Sequence, residues 1–245
     1  MKILVCITHV PDTTSKIAFT DNNTHFDKTG VQYIIGPYDD YALARAVELK
    51  EQLGGSITVL NVGESETEPT IRKALAIGAD DAIRVNAAPT DSFFVAQEIA
   101  EVAKEGAYDL ILMGRESIDF NGGQVHGMVA EMLGMPSVSP VMTLDIEGTT
   151  AKLSREIEGG KEYMEIDLPF VAGCQEPIAE WKIPNMRGIM SARSKPLVIK
   201  DPVSHENRTR VATFELPAQK GEVKMIDTEN IDELVSLLKN EAKVI

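Results

Sequence analysis

The stretch Asp109-Leu-Ile-Leu-Met-Gly-Arg-Glu-Ser-Ile-Asp-Phe-Asn-Gly-Gly-Gln-Val-His-Gly127 holds an apolar run, a polar loop and the beginning of a helical pattern. The apolar run ends at Met113, and helical periodicity extends from Gly122 to Leu133, where Gly134 and Pro136 close it. A short, continuously apolar run before a helix is typical of a strand buried on both faces of a parallel sheet. The stretch therefore predicts one strand–loop–helix unit of an α/β protein.

The segments that precede this stretch alternate in the same way. The predicted strands are residues 2–8, 56–62, 82–85 and 109–113, and the predicted helices are residues 39–53, 66–77, 91–104 and 122–133. This order predicts a doubly wound, mostly parallel sheet with right-handed crossovers, of the Rossmann-like or adenine-nucleotide-hydrolase-like kind.

The pattern changes after Gly134, because strand-like runs follow one another without a long helix between them. These runs are residues 141–144, 151–157, 163–168 and 170–173, with the hairpin turn signal Glu158-Gly159-Gly160-Lys161 between two of them. We expect this part of the chain to add antiparallel edge strands to the sheet.

Composition narrows the classes of function. The chain has 245 residues and a net charge of -14, which disfavours binding to nucleic acid.

Cys6 and Cys174 lie in apolar runs outside any CxxC pair, so buried, reduced thiols are expected. No apolar stretch has the length of a signal peptide or a membrane span. We therefore expect no membrane insertion, and a location in the cytosol or in an organelle matrix.

The loop that follows Met113 is a candidate phosphate site. Ligands of open α/β sheets bind beyond the carboxyl ends of the strands. Gly122 and Gly123 let the backbone approach a ligand closely, and the free N–H groups of a first helical turn suit a phosphate. Alternatively, Asp119 and Asn121 are plain helix caps. A cap satisfies one or two backbone N–H groups of the helix and leaves others for a ligand, so the two interpretations are compatible.

Other sites of chemistry are not indicated by the sequence. It contains no GxxxxGK[ST], GxGxxG, GxSxG or HExxH motif. The histidines are scattered without metal-ligand spacing, at His9, His25, His126 and His205. No nucleophile–base pair is evident either. We therefore expect neither a metal site nor a catalytic constellation, and a protein that is not itself an enzyme.

The last part of the chain is irregular and rich in proline, up to an amphipathic helix predicted at residues 230–241. We expect residues 1–190 to form a nucleotide-binding α/β domain and residues 191–245 to form an extended arm with a terminal helix. An arm this long is hard to bury on its own domain, so we expect it to dock on a partner subunit. The alternative is a tail folded back on the same domain.

Taken in order, several segments of residues 1–200 resemble the beta subunit of electron-transfer flavoproteins. The matching segments are Val10-Pro11-Asp12, Gly36-Pro37, Arg72 to Asp80, Gly114-Arg115-Glu116-Ser117-Ile118-Asp119, Leu153 to Gly160 continuing to Leu168-Pro169, and Glu176-Pro177 to Met190. The most specific of them is Arg155-x-x-Glu-Gly-Gly followed by an apolar strand and proline.

The resemblance implies a heterodimer with an alpha subunit that holds most of the FAD site. The beta chain would contribute a buried AMP and part of the flavin surroundings. Electrons would pass from acyl-CoA dehydrogenases, as in fatty acid beta-oxidation, and from other dehydrogenases to a membrane quinone oxidoreductase.

The resemblance also implies roles for particular residues. The AMP phosphate would lie on Asp119, Gly122, Gly123, Gln124 and Val125, and the rest of the nucleotide pocket on Cys6, Gly36, Asn61, Val62 and Gly63. Thr13 would lie near the FAD. Ile183, with Pro184, would anchor the loop that docks partner dehydrogenases.

The chain departs from the family pattern at two points. The phosphate turn reads Gln124-Val125-His126, where family members usually have glycine in place of His126. The lysine-rich run of mitochondrial members is replaced by Ser191-Ala-Arg-Ser-Lys195, which favours a bacterial, cytoplasmic type over a mitochondrial one.

Two other hypotheses remain open. Some family members bifurcate electrons and bind a second FAD in the beta chain in place of AMP. In a different class, the chain would be a stand-alone nucleotide-binding protein of the stress type, or an enzyme like the ATP pyrophosphatases. The long arm argues against that class.

Overall fold

The computed structural model describes residues 1–203, 207–219 and 221–245. The strands are β1 Lys2–Cys6, β2 His9–Pro11, β3 Phe19–Thr20, β4 His25–Phe26, β5 Tyr33–Ile35, β6 Ser56–Val62, β7 Asp81–Val85, β8 Leu110–Gly114, β9 Ser137–Glu147, β10 Thr150–Ile157, β11 Gly160–Asp167, β12 Phe170–Cys174 and β13 Leu197–Lys200. The α-helices are α1 Pro37–Leu53, α2 Glu68–Ile77, α3 Ser92–Gly106, α4 Val125–Leu133, α5 Met186–Ala192 and α6 Ile231–Leu237. A 3₁₀ turn, Ser65–Thr67, precedes α2, and a π-helical turn, Leu238–Ala242, follows α6.

The core of the molecule is a nine-stranded sheet in the order β11-β10-β9-β12-β8-β1-β6-β7-β13. Seven neighbouring strands are parallel to one another, in the order β9-β12-β8-β1-β6-β7-β13. At one edge, β9, β10 and β11 form an antiparallel meander. The predicted α/β fold with a mostly parallel sheet and antiparallel edge strands is confirmed.

Two helical layers cover the sheet because alternate residues of each buried strand face opposite sides. Ile3 and Val5 of β1 pack in the same cluster as α1 and α2. Leu4 and Cys6 face the other side, where they share a cluster with α3 and α4. Every residue of β8 is buried, as expected for a strand covered on both faces.

Two predictions from the sequence need correction. The strand predicted at residues 170–173 is not an edge strand, because β12 lies inside the sheet between β8 and β9 and runs parallel to both. The helix predicted from Gly122 begins at Val125 instead. Asn121 and Gly123 have positive φ angles of 48° and 56°, which keep the preceding residues out of the helix.

The part of the chain after α5 begins as sheet and then contacts its own domain, where the Thr209 N–H and hydroxyl donate to Asp91. Strand β13 pairs with β7, from Leu197 opposite Ala82 to Lys200 opposite Val85. Farther on, Phe214 stacks on Phe19 with ring centroids 4.8 Å apart. Helix α6 has no buried residue. The boundary between a domain and an arm at residue 190 stays a prediction.

The buried side chain of Arg45 joins α1 to the meander. Its Nε donates to the Leu144 carbonyl at 2.8 Å, and its terminal nitrogens pair with Glu48 and Asp145. Because β9 has no helix of its own to connect it to this layer, a charged hydrogen bond across the layers orients the meander.

We expect Arg45→Met to lower the free energy of unfolding by about 1.5–3 kcal/mol, since a charge-assisted hydrogen bond to a buried carbonyl is lost. The matched control is Lys152→Met, whose ion pair with Glu147 lies on the exposed face of the meander. That change should cost less than about 1 kcal/mol. Urea unfolding of both variants measures the difference, and equal effects would contradict this role for Arg45.

Candidate functional site

Five parallel strands end side by side at one edge of the sheet. They end at Cys6, Val62, Val85, Gly114 and Cys174. Strand β1 lies between β6 and β8, so the chain continues from β1 toward β6 on one side and returns later as β8 on the other. Such a reversal of strand order opens a crevice beyond the carboxyl ends, where open α/β sheets bind ligands.

The carboxylate of Asp39 holds this crevice together at its base. It accepts hydrogen bonds from the backbone N–H and the hydroxyl of Thr8, at 2.8 and 2.6 Å, and from the N–H of Gly114 at 2.8 Å. Asp39 lies in the first turn of α1. One side chain thus links the chain leaving β1, the end of β8 and the beginning of a helix.

Burial raises the pKa of Asp39 to about 6, although the hydrogen bonds from Thr8 and Gly114 act in the opposite direction. Gly36 and Gly114 are necessary around this carboxylate. A Cβ on Gly36 would lie 2.3 Å from Thr8 Oγ1, and a Cβ on Gly114 would lie 2.6 Å from Asp39 Oδ1.

The loop from Arg115 to Gln124 crosses the mouth of the crevice and leads into α4. The Asn121 N–H donates to the Ser117 carbonyl at 2.7 Å, and the Ser117 hydroxyl donates to the Asp119 carboxylate. Gln124 is the N-cap of α4, and no side chain caps the helix. The N–H groups of the first turn of α4 have no partners within the helix, and they carry the positive end of the helix dipole.

A second helix begins beside the same loop. A Cβ on Gly122 would lie 3.6 Å from the hydroxyl oxygen of Ser92, which is the first residue of α3. Helix α3 is capped by Asp91, which accepts from the Phe94 N–H at 2.9 Å. The glycine turn therefore lies between the N-terminus of α4 and that of α3, in a region favourable to an anion.

An unpartnered amide oxygen lies at the end of β6. The Asn61 Nδ2 donates to the Ile7 carbonyl at 2.9 Å, whereas its Oδ1 is buried and has no hydrogen-bond partner among the residues described. A Cβ on Gly63 would lie 2.6 Å from this oxygen. A buried acceptor without a partner is costly, so Asn61 is suited to accept a hydrogen bond from a ligand.

The chain matches known proteins over this whole region. Residues 24–204 match the family described as Electron transfer flavoprotein domain. Electron transfer flavoprotein subunit beta of Bacillus subtilis is 35% identical, with 100% of each chain covered. The protein of the same name from Syntrophomonas wolfei is 34% identical, covering 100% of this chain and 98% of the relative. Acryloyl-CoA reductase electron transfer subunit gamma of Anaerotignum propionicum is 32% identical over 82% of this chain and 78% of the relative.

The chain belongs to the family of electron transfer flavoprotein beta subunits. An electron-transfer role follows from this membership. The resemblance drawn from the sequence motifs is confirmed.

The other predicted pocket residues of this flavoprotein subunit lie along the carboxyl edge. Cys6 and Val62 are buried at the ends of β1 and β6, and Gly63 receives a hydrogen bond at its carbonyl from Arg84, at 2.9 Å. Burial raises the pKa of the Cys6 thiol, and the nearby charge of Asp39 adds to the effect. Cys6 is therefore an apolar wall of the crevice and not a thiolate at neutral pH.

The predicted flavin and docking residues belong to other segments of the chain than the loop from Arg115 to Gln124. Thr13 is exposed in the turn after β2. Ile183 is 73% exposed, and with Pro184 it precedes α5, which packs on α2 in the other helical layer from α4. The crevice and the predicted docking residues therefore lie on different parts of the flavoprotein subunit.

His126, the departure at the phosphate turn, points its ring toward the sheet. A Cβ on Gly173 would lie 2.9 Å from His126 Cδ2, and the ring Nδ1 is buried without a partner among the described residues. Burial lowers the pKa of His126, while a backbone hydrogen bond with Gly123 acts in the opposite direction. The histidine ring thus packs below the glycine turn.

The cysteines and the possible metal-binding side chains were also located among the described residues. Both cysteines are buried and free. Among the residues with described positions, no group of three or more His, Cys, Asp and Glu side chains is arranged to hold a metal ion, and His205 lies outside that set. Within residues 1–203, 207–219 and 221–245, no helix combines the length and the apolar character needed to cross a membrane.

Asp39 and Arg115 were not among the site residues predicted from the sequence. Arg115 donates to Gln175 at 2.8 Å and lies over the Tyr38 ring, and Gln175 in turn donates to Glu156 at 2.8 Å. These contacts join residues far apart in the chain. The signal for Asp39 was its position in the first turn of a helix directly after Gly36-Pro37.

Titration of Asp39 should be visible in the stability of the protein. Its folded pKa of about 6 lies above the value of 3.8 expected for the unfolded chain. The protonated carboxyl thus stabilises the fold below pH 3.8, and this contribution is lost as pH rises through about 6. The free energy of unfolding of the wild type, minus that of Asp39→Asn, should fall by up to about 3 kcal/mol over this range.

Urea unfolding between about pH 4 and pH 7 provides the measurement. Asp27→Asn is the control, because hydrogen bonds from Thr29 lower the pKa of the partly exposed Asp27. The free energy of unfolding of the wild type, minus that of Asp27→Asn, should not fall as pH rises over this range. A pH-independent difference for Asp39→Asn would contradict the burial of an ionisable carboxylate at the base of the crevice.

Proposed function

We propose that this chain is the beta subunit of a heterodimeric electron transfer flavoprotein of the bacterial cytoplasm, that it binds AMP in the crevice, and that it helps to enclose the FAD of an alpha subunit. The pair carries electrons from acyl-CoA and other dehydrogenases, as in fatty acid beta-oxidation, to a quinone oxidoreductase. The flavin supplies the redox chemistry when bound, so the beta chain needs to supply only position and electrostatics.

The cradle at the phosphate turn is the observation that carries this proposal. The first turn of α4 offers unpaired N–H groups behind Gly122 and Gly123, and the crevice lies where the strand order reverses. The described residues fit an adenine nucleotide. The N–H groups and helix dipole of Gln124 and Val125 suit its phosphate, and the free Oδ1 of Asn61 suits an N–H or O–H donor elsewhere on it.

A second FAD in place of AMP is the second candidate. One relative is named as an electron transfer subunit of an acryloyl-CoA reductase, and therefore serves a reductase. Both nucleotides contain an adenosine and a phosphate, so the same cradle suits either. A stand-alone nucleotide-binding protein is less well supported, because the matched relatives are named as subunits.

Mass spectrometry of the nucleotides released from the purified chain pair tests this function. We expect about one AMP and one FAD per pair. Two FAD and no AMP would contradict the AMP assignment and favour the second candidate. A chain that is purified alone, without flavin, and hydrolyses ATP would contradict the flavoprotein function.

The phosphate cradle itself is tested by Gly122→Asp. The glycine has space for a side chain and needs no positive φ, so the backbone can accept the change. A carboxylate beside the phosphate should weaken AMP binding roughly 100-fold, because like charges a few ångströms apart near a protein surface repel by about 3 kcal/mol. Gly122→Asn, of the same size without the charge, is the control and should retain AMP. Equal AMP contents in the two variants would contradict the cradle.

A further inference from the structure

Residues 181–190, which we call the docking segment, present exposed apolar side chains between two buried anchors. The exposed residues are Trp181, Ile183, Met186, Ile189 and Met190. Ile178 before the segment and Ala192 after it are buried. A contiguous exposed apolar surface of this kind is typical of a protein–protein contact. Its side chains are useful for recognition only if the segment is held in place.

Close backbone contact holds the middle of the docking segment against α2. Gly188 lies in the first turn of α5, where its N–H donates to the Asn185 side chain at 2.8 Å. A Cβ on Gly188 would lie 2.2 Å from the Ala76 carbonyl oxygen, so only glycine allows this approach. Helix α5 therefore packs on α2 backbone to backbone.

Arg72 of α2 bonds the chain just after the docking segment, where α5 ends. Its Nη1 donates to the carbonyls of Ala192 and Lys195, at 3.0 and 2.9 Å. Its Nε and Nη2 pair with Glu68, one turn earlier in α2, at 3.3 and 3.2 Å. The guanidinium is thus fixed on its own helix, and it bonds the last carbonyl of α5, at Ala192, and the Lys195 carbonyl after it.

Lys195 makes the opposite connection. Its Nζ donates to the carbonyls of Leu75 and Ala79, at 2.8 and 2.5 Å, at the C-terminal end of α2. Arg72 of α2 therefore bonds carbonyls at and after the end of α5, and Lys195, which follows α5, bonds carbonyls at the end of α2. Cations in the last turn of a helix are favourable because they meet the negative end of its dipole.

We propose that Arg72 and Lys195 form a reciprocal clamp that positions the docking segment for contact with the electron-donating dehydrogenase. This inference rests on the proposed function, in which Ile183 anchors that contact. A segment already fixed in its bound shape loses less conformational entropy on docking, so a small apolar contact binds productively and still releases. Arg72 and Lys195 are positioning residues, since they act through the segment and not on the partner.

Limited trypsin digestion of the intact chain pair measures the clamp directly. Lys182 and Arg187 are tryptic sites within the docking segment, and mass spectrometry separates their cleavage from that of the partner chain. We expect Arg72→Met and Lys195→Met to speed cleavage at these sites roughly tenfold or more, because cleavage follows the population of the open segment.

The matched control is Lys73→Met, which removes the neighbouring tryptic site of α2 and an ion pair with Asp40, at 3.8 Å, but no contact of the clamp. Its docking segment should be cleaved at the wild-type rate, and Arg72→Lys should give an intermediate rate. Equal rates for Arg72→Met and Lys73→Met would overturn the clamp. An equal rise at Lys104 in α3 would also overturn it, since the whole domain would then be opening.

Electron transfer from an acyl-CoA dehydrogenase to the chain pair measures the consequence for docking. We expect Arg72→Met to raise the KM for the flavoprotein roughly tenfold, with kcat within about twofold, because pre-ordering of several side chains is lost. Faster cleavage with an unchanged KM would overturn the positioning role.

Ile183→Ser distinguishes failure of the clamp from failure of the docking function. It should raise the KM while leaving the cleavage rate at Arg187 near that of the wild type. If Ile183→Ser leaves the KM unchanged, the docking function itself is wrong, and with it the inference that rests on it. If Ile183→Ser raises the KM but Arg72→Met changes neither readout, only the clamp is wrong.

Discussion

The carboxylate of Asp39 is the interaction on which the crevice depends. It joins the exit of β1 at Thr8 to the end of β8 at Gly114, and it does so from the first turn of α1. These are the two strands between which the strand order reverses. Gly36 and Gly114 surround it because a Cβ at either position would collide with the network. The carboxylate stays buried at a cost, which its raised pKa records.

The two proposed functional regions occupy different helical layers of the same sheet. The phosphate cradle precedes α4 in the layer that contains α3, whereas the docking segment rests on α2 in the layer that contains α1. Under the proposed function, a bound nucleotide and a docked partner would therefore occupy separate parts of the chain.

The sequence predicted those parts of the fold that depend on local pattern. The bounds of β6 were predicted to the residue, because a buried run between glycines is unambiguous. The position of β12 was not predicted, since a short apolar strand carries no signal for its neighbours. The helix start at Val125 was missed because the glycines continue the helical spacing while Gly123 has a positive φ.

The sequence predicted the part of the candidate site that lies in a local motif. It did not predict the parts that depend on contacts between residues far apart in the chain. The glycine turn at Gly122 and Gly123 was visible in the sequence, and the structure places it beside two helix N-termini. The bonds of Arg72 to Ala192 and Lys195 span 120 and 123 positions, so no sequence window contains them. The same holds for the bond of Asp39 to Gly114.

Under the proposed function, the first turn of α4 holds the phosphate of a nucleotide. Hydrogen–deuterium exchange on the chain pair, with AMP bound and with AMP removed, tests it most directly. We expect AMP to slow exchange at the amides of residues 122–127 and to leave exchange in the distant strand β11 unchanged. Unchanged exchange at residues 122–127, with protection elsewhere in the chain, would contradict it.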